Sequence, residues 1–132
     1  MDGMDDMDDV ESIIARLGFI DFELVFNGSN SHERCGFIDA AGEVIEWPNM
    51  HPHPRYNFRI KSDWVRQVLD DPSVGLWALW HTHPVYATRT PTAKDLESIP
   101  AGLLGVVLHV PTRMLTAYVH GRVIGMTRYR RR

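Results

Sequence analysis

The chain lacks cysteine pairs and long apolar runs. Its 132 residues include a single cysteine, Cys35, so an internal disulfide is excluded. No apolar run approaches the ~20 residues that a transmembrane helix requires. The acidic start, residues 1–9, has neither the positive charge nor the apolar core of a secretory signal. We therefore expect a cytoplasmic protein that contacts no membrane.

The chain also has no excess of positive charge. Lysine and arginine number 14 against 17 acidic residues, for a net charge of −3. Four of the arginines lie within residues 128–132, which makes a phosphate-binding surface too small for a typical nucleic-acid partner. We therefore expect no nucleic-acid binding. The charge distribution predicts an acidic, flexible N-terminus over residues 1–9, one domain over 10–127 and a basic tail over 128–132.

Hydrophobic periodicity predicts an α/β fold, with a single mixed, mainly antiparallel sheet flanked by helices. The 3.6-residue pattern predicts helices over 10–17, ended by Gly18, and over 62–69, capped by Ser62. The two-residue pattern predicts strands over 19–26, 34–39, 43–47, 58–60, 74–80, 102–110, 114–120 and 122–126. Turns are expected at Gly42, where a positive φ is favourable, and at His120-Gly121.

Two histidines at metal-ligand spacing follow the apolar strand 74–80, in the segment Trp80-His81-Thr82-His83-Pro84. Side chains two residues apart on a strand share a face and are separated by roughly 6.6 Å along the backbone, so both rings can reach one ion. A catalytic zinc site typically has three protein ligands and an open position for water. Asp95 is the nearest third candidate, which predicts a Zn2+ site of His81, His83 and Asp95. Imidazole and carboxylate ligands also suit iron or cobalt.

The same residues allow a purely structural interpretation. Thr92-Ala93-Lys94-Asp95 has the spacing of a helix capping box, for a helix running to about Ser98. A lone His-x-His pair is weak evidence for metal, since both rings can lie near solvent at a strand end. The two roles of Asp95 are compatible, because the first turn of a helix would hold its carboxylate in position.

Other reactive side chains are expected to be structural. His51 and His53 form a second His-x-His pair, but the prolines around them predict an exposed loop, from which they could still line a cleft. Cys35, three residues after His32, lies in an apolar run, which favours a packing role over a nucleophilic one. Predicted core residues are Trp77, Trp80, Val106, Val107, Leu108 and His109.

The combination His81-Thr82-His83-Pro84, seven residues, then Thr92-x-x-Asp95 resembles the signature of the JAMM/MPN+ zinc metalloproteases. Glu33, shortly before Cys35-Gly36, fits the family's upstream glutamate. The segments 45–49 and 54–60 are similar to its asparagine-bearing and phenylalanine-bearing strands. The resemblance covers about residues 20–126, and it implies a cytidine-deaminase-like JAMM architecture.

This resemblance also implies roles for two residues besides the three ligands. Glu33 would act as general base on the attacking water and then as acid toward the leaving amine. Thr92 stands where the family usually has serine, and its hydroxyl would stabilise the tetrahedral intermediate.

The implied function is hydrolysis of a peptide or isopeptide bond. The substrate would be the C-terminal tail of a ubiquitin-like or sulfur-carrier protein, or a short cell-wall peptide. The small size favours a prokaryotic or phage form, which in the phage case would be associated with the virion. The alternatives are a phage tail assembly or other structural module that keeps the fold and metal with little turnover, and a plain metal-binding domain. The sequence leaves the oligomeric state open.

Overall fold

The chain folds around one mixed β-sheet. The computed structural model describes residues 7–28, 30–55, 57–84 and 89–130. Within these ranges lie four helices and six strands, in the order α1 (Met7–Leu17), α2 (Glu23–Asn27), β1 (Cys35–Asp39), β2 (Val44–Trp47), α3 (Ser62–Leu69), β3 (Leu76–His83), α4 (Ala93–Ser98), β4 (Gly105–His109), β5 (Met114–Val119) and β6 (Arg122–Arg128). Most of the predicted acidic terminus and the end of the predicted basic tail lie outside the described residues.

The strand order across the sheet is β2-β1-β3-β4-β5-β6. The β3–β4 pair is parallel, and the other four pairs are antiparallel. The expected α/β class with a mainly antiparallel sheet is therefore confirmed. Because β3 and β4 are parallel, the chain must return to the starting edge of the sheet between them, and α4 forms part of this crossover connection. The amino end of α4 therefore lies near the carboxyl end of β3.

The two faces of the sheet carry different side chains. The face toward α1 and α2 holds the main apolar core, which includes Leu17, Phe22, Ile38, Trp80, Val106, Leu108, Leu115 and Tyr129. The opposite face holds a smaller cluster of Ile99, Val107 and Tyr118 beside α4. Strand alternation sends Trp80 to the first face and His81 to the second. The predicted burial of Trp80, Val106, Val107, Leu108 and His109 is confirmed, whereas Trp77 is only partly buried.

The predicted strand over 19–26 is wrong, because the segment contains helix α2. Its residues Phe22, Val25 and Phe26 are spaced i, i+3, i+4 and are buried on one helix face. Leu24, which a strand would place on the same face as Phe22, is 88% exposed. The segment therefore fits both the two-residue period of a strand and the i, i+3, i+4 spacing of a helix. The helix is the form that buries Phe22, Val25 and Phe26 together.

The predicted strand over 58–60 is also absent from the described residues. Asn49 organises this segment instead, since its Oδ1 accepts the Arg59 amide at 3.0 Å and its Nδ2 donates to the Asn57 carbonyl at 2.8 Å. Side-chain hydrogen bonds therefore replace a strand ladder here. β3 extends further than predicted, through His83, and β4 is shorter than the predicted 102–110.

The helices are short, from 5 residues in α2 to 11 in α1. In the described part of the chain, none has the length and hydrophobicity to cross a membrane. The N-cap of α3 is Lys61 rather than the predicted Ser62, and no side chain caps it. The predicted turns are confirmed, with φ of +90° at Gly42 and +83° at Gly121.

Candidate metal centre

His81 and His83 lie at the carboxyl end of β3 and face the same side of the sheet. Their Nε2 atoms are 3.3 Å apart, and both side chains are buried. β3 is an inner strand, flanked by β1 and β4, and the ladder pairs His81 with Cys35 on one side and Val107 on the other. Ladders on both sides therefore hold the two imidazoles in a convergent arrangement.

Asp95 reaches the two rings from the first turn of α4. Its backbone N–H donates to Thr92 Oγ1 at 3.1 Å, and its Oδ2 accepts the Thr92 N–H at 2.9 Å, which completes the predicted capping box. The same Oδ2 lies 3.2 Å from His83 Nε2 and 3.3 Å from His81 Nε2. The same carboxylate oxygen of Asp95 therefore takes part in the capping box and lies next to both imidazoles.

Three atoms form a nearly equilateral triangle with edges of 3.2 to 3.3 Å: His81 Nε2, His83 Nε2 and Asp95 Oδ2. Zinc bonds of ~2.0–2.1 Å in tetrahedral geometry require donor separations of about 3.3–3.4 Å. The separations of the three donor atoms therefore fit a tetrahedral ion.

The charges of these groups also suit a metal. Burial lowers the pKa of His81, so its ring is neutral at neutral pH. Burial disfavours the charged form of Asp95, but hydrogen bonds from His81 and His83 hold the pKa of its carboxyl well below the usual range. Neutral imidazole and ionised carboxylate are the forms that bind metal.

Glu33 lies beside the triangle, two residues before β1. The Arg34 N–H donates to Thr82 Oγ1, and the Thr82 N–H donates to the Arg34 carbonyl, both at 2.9 Å, so this segment stays paired with β3. Extending the β1–β3 register by two residues places Glu33 opposite His83. Asn49 Nδ2 donates to the Glu33 carbonyl at 2.8 Å and fixes it from the other side.

A carboxylate oxygen of Glu33 lies within 4.8 Å of a ring nitrogen of both His81 and His83, so these three residues form a second possible ligand set. Asp95 Oδ2 makes shorter contacts, 3.2 and 3.3 Å, with the same rings. These shorter contacts favour Asp95 as the third ligand, with Glu33 beside the three donor atoms. Burial raises the pKa of Glu33 to about 7, with the Asp95 charge adding to the rise and His83 opposing it.

Two further residues contact the His81 ring and orient it, a role that the sequence did not predict for either. The Tyr118 hydroxyl lies 3.4 Å from His81 Nδ1, the nitrogen that faces away from the triangle. Phe58 stacks on the imidazole with ring centroids 4.1 Å apart. Burial raises the pKa of Tyr118, so its hydroxyl stays protonated. Tyr118 lies on β5, two strands from β3, and no local sequence pattern connects it to His81.

The remaining reactive side chains match the sequence predictions. His53 is exposed, while His51 is half-buried and lines the cavity described below. Cys35 is fully buried in β1, and burial raises the pKa of its thiol to about 12. The complete burial of Cys35 agrees with the predicted packing role.

A cavity of about 810 Å³ opens onto the candidate metal centre. Glu33, Thr92 and all three predicted ligands line it, so the structure brings the five predicted site residues to one cavity. Thr92 is exposed at its edge.

No protein-family model matches the chain, and no curated protein matches its sequence.

Proposed function

We propose that the protein is a zinc-dependent peptidase or isopeptidase of the JAMM/MPN+ type. The observation that carries the proposal is the triangle of His81, His83 and Asp95 donor atoms, whose edges of 3.2 to 3.3 Å suit a tetrahedral ion. The cavity beside it supplies space for a substrate, and Glu33 supplies a second carboxylate. A cytidine-deaminase-like JAMM architecture is part of the proposal, and the mixed sheet and the β3–α4–β4 crossover are compatible with it.

The ion would be held by His81 Nε2, His83 Nε2 and Asp95 Oδ2, and all three residues line the cavity. Bound zinc would supply Lewis-acid activation of water and of the scissile carbonyl. Other residues orient two of these ligands. The Tyr118 hydroxyl lies next to His81 Nδ1, and the Thr92 backbone N–H donates to Asp95 Oδ2.

Glu33 is suited to moving the proton in amide hydrolysis. Water supplies the oxygen that forms the new C–O bond, and Glu33 accepts the proton released by that water. As the C–N bond breaks, Glu33 delivers the proton to the leaving nitrogen, so the carboxylate is regenerated.

Thr92 is suited to stabilising the developing oxyanion. Its Oγ1 accepts the Asp95 amide at 3.1 Å, and a hydroxyl can accept one hydrogen bond and donate another. Its place at the cavity edge puts this donor next to the metal ligands. The proposed substrates are the tail of a ubiquitin-like or sulfur-carrier protein, or a short cell-wall peptide.

A comparison of zinc content and cleavage tests the proposal. We expect one zinc ion per chain, and we expect Glu33→Gln to keep the ion while lowering cleavage by about 10²–10⁴-fold. The matched control is Glu43→Gln, an exposed glutamate in the β1–β2 turn, which should change neither property. Metal analysis and cleavage of ubiquitin-like and muropeptide substrates give the two measurements. Full zinc without cleavage by the wild type would favour a structural module.

A further inference from the structure

Helix α3 directs one complete face at the cavity. The cavity-lining residues of this helix and its C-cap are Ser62, Val65, Arg66, Leu69 and Asp70. Their spacing of i, i+3, i+4, i+7 and i+8 is that of a single helix face. The middle of this face is apolar, and its edges are polar. A surface helix normally turns such an apolar stripe toward the core, whereas this stripe borders the cavity in the part of the chain that the structure describes.

A different part of α3 attaches the helix to the sheet. Trp64 packs on Trp47 of β2 with ring centroids 5.8 Å apart, and Trp47 in turn packs on Phe37 of β1 at 4.7 Å. No residue of α3 is fully buried, and Leu69 is 52% exposed. Among the described residues, neither Val65, which is half-buried, nor Leu69 belongs to the two apolar core clusters, and both line the cavity.

The same cavity has further apolar residues outside α3. Leu79 of β3 and Ile99 and Pro100 after α4 line it, and the metal-centre residues His81 and Asp95 line it as well. The volume of about 810 Å³ lies within the ~300–1,000 Å³ typical of ligand sites. The cavity is thus continuous from the candidate metal centre to a region with apolar side chains from several elements.

We infer that Val65 and Leu69, together with Leu79 and Ile99, form a specificity subsite for a bulky apolar side chain of a peptide substrate. This inference rests on the proposed function, since the metal centre would hold the scissile bond in the same cavity. The subsite selects leucine-sized side chains because burying them removes apolar surface of both partners from water. Arg66 and Asp70 flank it and can hydrogen bond to the peptide backbone.

Peptide hydroxamates provide the test, because the hydroxamate group chelates zinc and the peptide extends into the cavity. The probes are acetyl-tripeptide hydroxamates in which one leucine is placed at each position of a glycine background. The reference compounds are the all-glycine peptide and acetohydroxamate. We expect leucine at one position to tighten binding to the zinc-loaded protein by at least about 10-fold relative to glycine. Isothermal titration calorimetry measures each affinity.

The variant Leu69→Asp should remove the leucine gain and leave acetohydroxamate affinity unchanged. Leu69 is half-exposed, so this variant should fold; Val65→Thr is a nearly isosteric second variant that should weaken the gain. Leu24→Asp is the control, because Leu24 is 88% exposed and is not among the cavity-lining residues. The subsite is overturned if no position prefers leucine, or if the preference survives Leu69→Asp.

Failure of the proposed function has a different signature. A protein that takes up no zinc, or that does not bind acetohydroxamate, contradicts the metal centre rather than the subsite. The amide forms of the same peptides need no metal, so their binding still measures the leucine preference. Methyl NMR shifts of Val65 and Leu69 then report whether the leucine peptide occupies the subsite and the glycine peptide does not.

Discussion

Two His-x-His pairs of identical spacing adopt different arrangements in this protein. His81 and His83 lie on an inner strand and are buried, with ring centroids 5.0 Å apart and Nε2 atoms 3.3 Å apart. His51 and His53 lie in the loop before α3, and their ring centroids are 6.1 Å apart. In the loop, His51 Nδ1 accepts the His53 backbone N–H at 3.0 Å, so one ring nitrogen is used for local structure.

The difference lies in the backbone and in the third residue. A strand sends residues two apart to the same face, whereas the prolines around His51 and His53 prevent a regular strand. The β3 pair also receives Asp95 from α4, and Oδ2 lies within 3.3 Å of both rings. Spacing is therefore informative only where a strand and a nearby carboxylate complete the site.

The largest expected effect comes from removing one histidine of each pair. His81→Ala should weaken zinc affinity by more than about 100-fold, because loss of a direct ligand should exceed the effect of losing a residue that only supports one. His53→Ala should leave zinc affinity unchanged, since His53 is exposed and lies in the loop. Competition with a chromophoric chelator measures both affinities.

Circular dichroism of the metal-free His81→Ala protein checks that the fold is retained, because His81 is buried. A loss of zinc affinity in His53→Ala would break the comparison, since it would assign the loop pair to the metal. Unchanged affinity in a folded His81→Ala protein would contradict the ligand assignment itself.

A smaller effect is expected from the contact that orients His81. Tyr118→Phe removes the hydroxyl 3.4 Å from His81 Nδ1 and keeps the buried ring, so zinc affinity should fall by about 10-fold. The matched control is Tyr129→Phe, which removes another buried tyrosine hydroxyl, one that donates to Asp21 Oδ1 at 3.3 Å.

The same chelator competition measures both tyrosine variants, and thermal unfolding of the metal-free forms reports any general loss of stability. Equal zinc affinities for Tyr118→Phe and wild type would show that the strand ladders alone orient the ring. A similar loss in both variants would indicate an effect on the fold rather than on His81.

The smallest effect is expected from the cap that positions Asp95. Thr92→Ala removes the side-chain acceptor of the Asp95 amide, which should lower the free energy of unfolding by about 1 kcal/mol. Thr92→Ser keeps the hydroxyl and should stay within ~0.5 kcal/mol of the wild type. Urea denaturation of the metal-free proteins measures this, and a loss of stability in Thr92→Ser equal to that in Thr92→Ala would assign the effect to the methyl group.

Local patterns were sufficient for much of the fold. The α1 helix, the β1–β2 hairpin with its turn at Gly42, and the α4 capping box all depend on residues close together in the chain, and each was predicted. The strand prediction for 19–26 is wrong because the side chains of this segment fit either period. The helix places Phe22 and Phe26 in the main apolar core. The expected strand over 58–60 failed because Asn49 side-chain bonds replace a ladder.

The sequence by itself determined the chemistry of the candidate site: two imidazoles at strand spacing, a capping carboxylate and an upstream glutamate. Only the tertiary structure decided that these groups meet, because the parallel β3–β4 pairing brings Asp95 to the histidines and the β1–β3 ladder brings Glu33. It also decided which residues support the site, since Tyr118 and Phe58 reach His81 from distant positions in the chain. Contacts of that kind depend on strand order and packing, which no local pattern encodes.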